Sequence, residues 1–157
     1  MSRGYSPTEV KIGWMHYCFL WYTRNAKPVL GGYSSDLCKL LIESKLKQMR
    51  CELKEIDIHD NHIFLGLKAD PRLSPHFIIS QLKSYTYKKL KDHPAFMNLP
   101  SLWSRSYFVS TFGRMAKKEM RDYDKFMLYR QKKHKKYVKK MNKLAREKRI
   151  NNPKIIE

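Results

Sequence analysis

Acidic residues are scarce in this chain. Its 157 residues carry 14 Asp and Glu against 33 Lys and Arg, a formal net charge of +19. Self-repulsion on that scale opposes compaction, so a polyanionic partner is expected: DNA, RNA or an anionic surface. Long apolar runs are missing as well. No stretch reaches 18 consecutive apolar residues, so no segment is expected to span a membrane and no membrane partner is expected. Residues 1–9 lack the apolar centre of a signal peptide, and the expected location is cytoplasmic. Cysteine is sparse and odd in number. Cys18, Cys38 and Cys51 fit neither a zinc pattern nor a secreted disulfide framework, and they read as buried, reduced thiols. No internal repeat of the solenoid kind is present.

What is present suffices for a core. Hydrophobic residues make up 42% of the chain and aromatic residues 13%, and the length suits one domain. Residues 1–13 read as an N-terminal arm, 14–130 as the domain and 131–157 as a basic extension. Trp14 to Thr23 is apolar and aromatic, a strand, and Arg24 to Leu30 leads out of it through Pro28. His16 lies inside that strand and reads as a packed histidine. After the break at Gly31 and Gly32, Ser34, Ser35 and Asp36 offer caps for a helix with apolar positions Leu37, Leu40, Leu41, Ile42 and Leu46. Cys51 to Ile58 alternates polar and apolar residues, a half-buried strand. His59, Asp60 and Asn61 make a tight turn, and Ile63 to Leu67 is the partner strand of a hairpin. Ser74 is an N-cap with Pro75 at the first helical position. Phe77, Ile78, Leu82, Tyr85 and Leu90 line one face of that helix, and Asp92-His93-Pro94 ends it.

The chain is organised around Leu102 to Gly113. Tyr107, Phe108, Val109 and Thr111 favour a strand, and Gly113 closes it. Met115, Glu119, Met120, Tyr123, Phe126, Met127 and Arg130 then recur at helical spacing. By composition this is a core strand followed by a packing helix. The order of elements is strand, helix, strand, strand, helix, strand, helix. The first six predict an α+β fold, a ferredoxin-like βαββαβ antiparallel sheet with helices on one face. A tyrosine-bearing helix and a basic C-terminal helix or tail follow. In that extension Tyr137, Val138, Met141 and Leu144 form a thin apolar stripe among lysines.

The run from Trp103 to Gly113, with Tyr123 ten residues after the glycine, resembles the end of the small HUH single-tyrosine transposases of bacterial and archaeal insertion sequences. The order of strand, basic residue and Pro28-Val29-Leu30 is similar to the same family. The resemblance covers about residues 14 to 127. It implies that Tyr123 is the nucleophile that cleaves single-stranded DNA through a phosphotyrosine. Hairpin DNA as partner and a homodimer are implied with it. A phenol ionises near pH ~10 and needs help to attack a phosphodiester. In the family a divalent metal supplies it, held by two histidines on one strand and by a glutamine one helical turn after the tyrosine.

The ligand set is broken here. His62 matches the first histidine, but Phe64 stands at the second and Met127 at the glutamine. Neither suits a hard cation such as Mg or Mn. His59, counted along an extended strand, falls on the face opposite His62 unless the turn folds sharply. The expectation is therefore lost or weak cleavage, no cofactor, and a divalent metal only if the site still works. Nucleic-acid contact is expected from Arg24, Lys27 and Arg105 and from Lys132, Lys133, Lys135, Lys136, Lys139, Lys140, Lys143 and Arg146. Two other readings stay open: an active transposase with an atypical metal site at His62 with His59 or Asp60, and a structural RNA-binding protein of a ribonucleoprotein. The differences at Ser106 and Phe112, where the family usually has glycine and valine, read as mild.

Overall fold

A computed structural model gives the architecture. It describes residues 14–97, 99–111 and 114–151, with side chains from residue 121 onward in the last segment. The arm expected over 1–13, the closing Gly113 and the side chains of Met115, Glu119 and Met120 lie outside the described residues.

Four strands form one sheet: β1 (Met15–Tyr22), β2 (Glu52–Ile58), β3 (His62–Ala69) and β4 (Phe108–Thr111). Their order is β2-β3-β1-β4, and every neighbouring pair is antiparallel. Helix α1 (Tyr33–Gln48) links β1 to β2, and α2 (Pro75–Leu90) links β3 to β4. The order of elements expected from the sequence is the order found. Helix α3 (Arg114–Asn151) follows as a single helix of 38 residues. The change of composition at residue 130 leaves no break in it.

Strand alternation sorts β1 onto two faces. Tyr17, Phe19 and Trp21 join Ile63, Leu65 and Leu67 of β3 under Cys38, Ile42 and Leu46 of α1 and Ile78, Ile79 and Leu82 of α2. Each such aliphatic or Phe side chain, fully buried, contributes roughly 1.5–3 kcal/mol of transfer free energy. Leu20 and Tyr22 point the other way and meet Met127 of α3, with Phe108 and Tyr123 packed alongside. Helices α1 and α2 thus cover one face, and α3 lies against one end of the other.

Two local expectations change. The cap of α1 is Gly32 at φ 53°, ahead of the Ser34–Asp36 group. That left-handed backbone suits glycine, and it starts the helix at Tyr33. Ser34 Oγ accepts from Gly31 N–H (3.1 Å) and donates to the carbonyl of Val29 or Gly31. On the helices themselves, Leu40 is 62% exposed and Phe77 45% exposed, whereas Cys38 and Ile79 are buried. The Ser74–Pro75 start of α2 is as expected, with Ser74 Oγ accepting from Phe77 N–H at 3.1 Å. Burial raises the Cys38 thiol to about 12 and the Cys51 thiol to about 11, in keeping with inert core thiols. Among the described residues, no helix is long and apolar enough to cross a membrane.

Candidate functional site

The register of β1 with β3 sets Tyr22 opposite His62 and Leu20 opposite Phe64. These four side chains share the face that α3 approaches. The Tyr22 hydroxyl donates to Asp124 Oδ1 at 2.5 Å, tying the end of β1 to α3. One residue earlier on α3, the Tyr123 hydroxyl and Ser106 Oγ share a hydrogen bond of 2.9 Å, in which either can donate. Ser106 also lies 3.6 Å from Met127 Sδ and 3.3 Å from Ser104 Oγ. Burial pushes both phenols above their ordinary range. For Tyr22 the bond to Asp124 adds to the effect, and for Tyr123 the Ser106 bond and the Arg130 charge act against it. Tyr123 at neutral pH is therefore a protonated phenol, less acidic than a free tyrosine.

Ser106, a mild difference as read from the sequence, makes a direct contact here. Its hydroxyl falls where the resembling family usually has glycine, and it holds the phenol of Tyr123. The loop that carries it is fixed from behind. Lys83 Nζ on α2 donates to the carbonyls of Ser104 (2.8 Å) and Ser106 (3.0 Å). Burial lowers this ammonium to about 8. Trp103 Nε1 donates to Thr86 Oγ1 at 2.9 Å and anchors the same loop to α2.

The histidines correct an expectation. His59 and His62 do not diverge to opposite faces; their rings stack with centroids 4.3 Å apart and planes 17° from parallel. The reason is the hairpin. Ile58 pairs with Ile63, so His59 and His62 are the next cross-strand neighbours and His59 N–H donates to His62 O at 2.9 Å. Residues opposite one another on two antiparallel strands share a face. His62 stacks on Tyr22 as well, at 4.9 Å. Burial first, and His59 second, lower its pKa, so its ring is neutral at pH 7.

These residues do not fit the metal site that the resemblance implies. Phe64 has no donor atom. Met127 is 2% exposed and packed among Leu20, Tyr22 and Ala26. The imidazole lone pairs of His59 and His62 lie in their ring planes, so stacked rings cannot converge on one ion. His62 Nδ1 is 2.7 Å from Asn61 Oδ1, and His59 Nε2 is 3.1 Å from Asp57 Oδ2. Among the described residues, no group of three or more His, Cys, Asp and Glu is placed to hold a metal ion.

The basic candidates fall into separate groups. Arg24, Arg105, Arg130 and Gln131 surround a cavity of about 270 Å³ beside Met127. Lys136, Lys139, Lys140, Lys143 and Arg146 flank an open groove on α3. Lys27 meets Lys135 and Lys139 in a second groove where α3 leaves the sheet. Lys132 and Lys133 are exposed on α3 outside these three.

A four-stranded antiparallel sheet, two covering helices and a tyrosine on a long third helix define an α+β protein of the tyrosine transposase type. The chain belongs to the IS200-like transposase family, whose pattern matches residues 11–124. Among solved structures, it is similar to a candidate transposase from Deinococcus radiodurans R1, with a TM-score of 0.71 and 20% identity over 81% of this chain and 98% of that one. It is also similar to a REP-associated tyrosine transposase bound to a REP hairpin, with a TM-score of 0.50 and 11% identity over 81% of this chain and 74% of that one. No curated protein matches the chain.

Proposed function

We propose that this chain is a nucleic-acid-binding member of the IS200-like family, on a ferredoxin-like scaffold, that takes single-stranded hairpin DNA and has lost strand cleavage or keeps it only weakly. The observation that carries the reading is the pair Phe64 and Met127, which leaves Tyr123 and His62 without the donors a divalent cation needs. A phenol raised above its ordinary pKa is then a poor nucleophile. Binding rests on different residues: the arginines around the cavity and the exposed lysines of α3. Hairpin DNA is favoured because a structural relative holds a REP hairpin. A homodimer is part of the same reading, by family resemblance. Tyr123 is the nucleophile in descent, and Mg or Mn enters only where cleavage survives.

A nicking assay on labelled hairpin DNA with manganese tests this. It compares the natural chain, Tyr123→Phe, and the double variant Phe64→His/Met127→Gln. The expected result is no covalent adduct from the natural chain and one from the double variant. An adduct from the natural chain that disappears in Tyr123→Phe would mean a working transposase and would sink the reading. Tighter binding of structured RNA than of hairpin DNA, with no adduct from any variant, would move the assignment to a ribonucleoprotein component.

A further inference from the structure

Three elements that are far apart in sequence each deliver one arginine to the cavity beside Met127. Arg24 comes from the 3₁₀ turn after β1, Arg105 from the loop before β4, and Arg130 from α3. Each is positioned by a contact of its own. Arg24 N–H donates to Leu102 O at 2.8 Å, and its Nη1 donates to Ser101 Oγ at 2.9 Å. Arg105 sits between the two carbonyls that Lys83 holds. Arg130 lies over the ring of Phe126, 5.8 Å from its centre. Among the described residues none of the three arginines has a carboxylate partner, and no acid lines the cavity.

The turn that forms one wall is held under strain. Asn25 and Ala26 both have left-handed backbones, at φ 55° and 52°, a conformation that costs roughly 1–3 kcal/mol for a residue other than glycine. Gln131 Nε2 of α3 donates to Ala26 O at 2.8 Å, and Asn61 Nδ2 donates to it at 3.4 Å. Backbone at such a cost persists only where its surroundings enforce it, and here Gln131 of α3 acts together with Asn61 and with Thr23, whose carbonyl accepts from Ala26 N–H at 2.9 Å. The cavity is therefore assembled by the packing of α3 on the sheet and depends on it.

Its size and chemistry narrow the occupant. A volume of about 270 Å³ is at the lower edge of the ~300–1,000 Å³ typical of ligand sites. Planar guanidinium groups match phosphate oxygens in pairs, which lysine does not. Converging unpaired cations repel one another until an anion arrives. We propose that this cavity is a subsite for one phosphodiester of a single strand, next along the chain from the nucleotide that meets Tyr123. Met127 stands between the two positions, touching the cavity on one side and the Tyr123–Ser106 pair on the other. The proposal rests on the nucleic-acid reading above and adds where the unpaired strand runs.

The test is a methylphosphonate walk. A DNA hairpin with an unpaired flank is made as a series, each member with one neutral methylphosphonate at a different flank position. Binding is measured by fluorescence anisotropy at several salt concentrations. The proteins are the natural chain, the single variants Arg24→Gln, Arg105→Gln and Arg130→Gln, their triple combination, and a control, Lys39→Gln/Lys47→Gln, on the opposite face. The natural chain should lose about tenfold or more at one flank position. That penalty should vanish in the triple variant, whose salt slope should drop by about 0.7 for each phosphate contact removed. Circular dichroism checks folding, and the single variants keep the comparison usable if the triple fails to fold. The control should bind within about twofold of the natural chain, since its lysines lie away from the cavity. A triple variant with natural affinity and slope would overturn the subsite while leaving hairpin binding intact. So would a position-specific penalty that survives in the triple variant. A natural chain that does not bind the hairpin at all would remove the nucleic-acid reading and the subsite with it.

Discussion

Alternate residues of β1 serve two environments. Phe19 and Trp21 are completely buried between the sheet and two helices. Leu20 and Tyr22 are nearly as inaccessible, at 4% and 3%, yet among the described residues their cluster has only Ala26 and Met127 as further buried members. The first face is closed by many apolar contacts. The second is closed by one helix and by a few polar links: Tyr22 to Asp124, Ser106 to Tyr123 and Gln131 to Ala26. Among the described residues, low exposure is thus reached by two routes, one mainly through apolar contacts and one through apolar contacts joined by polar links. The side that carries Tyr123 is tied to α3 by hydrogen bonds that single substitutions remove.

Substitutions on the two faces should separate these routes. The largest effect belongs to the closed face. Leu65→Ala empties a fully buried position and should cost about 2–5 kcal/mol in urea unfolding. A cost below that of Tyr22→Phe would reverse the ranking of the faces. Tyr22→Phe comes next. It leaves Asp124 without its donor, at about 1–3 kcal/mol. It should also change the alkaline limb. The Tyr22 phenol is raised in the folded state, so the folded chain holds a proton that the unfolded chain releases near pH ~10. Its contribution is complete below that pH and is lost as pH rises past it. The natural chain should therefore lose stability more steeply above pH ~10 than Tyr22→Phe, and parallel curves would exclude Tyr22 as the source. Ser106→Ala is the mildest, about 0.5–1.5 kcal/mol. Removing a bond that favours the ionised phenol should push Tyr123 further up, visible as a later tyrosine step in an ultraviolet pH titration. An unchanged or earlier step would mean that Ser106 does not hold the phenol.

The sequence made the closed face legible and the other face only by parts. Apolar and aromatic runs marked the strands that carry Phe19, Trp21, Ile63 and Leu65, and the Ser74–Pro75 start of α2 carried its own local signal. Gly32 displaced the expected serine cap because a backbone at positive φ outweighed a side-chain preference. The His59–His62 pair was misjudged because facing was counted along one strand, while the two residues lie on opposite arms of a hairpin. Ser106 was read as a mild difference for a related reason: its partner Tyr123 is 17 residues away, and no local pattern joins them. The arginine cavity draws on three segments and has no sequence signature at all. What the chain does locally is written locally, and what depends on register and on the docking of α3 is not.

The length of α3 has a further consequence. At ~1.5 Å per residue its 38 residues span about 57 Å, and from Lys132 onward almost every side chain is exposed. Lysines stand four apart at Lys132 and Lys136, Lys135 and Lys139, Lys136 and Lys140, and Lys139 and Lys143. Such pairs weaken a helix. The described acid on that stretch, Glu147, reaches Lys143 at 3.9 Å. Added salt therefore pulls two ways on the same arm. It screens the repulsion that frays the helix and, at the same concentrations, screens the attraction by which the helix would grip a polyanion. Raising salt should therefore make the arm more helical while weakening any hold it has on phosphates, whereas a polyanion lying along it would screen the lysine repulsion without that loss.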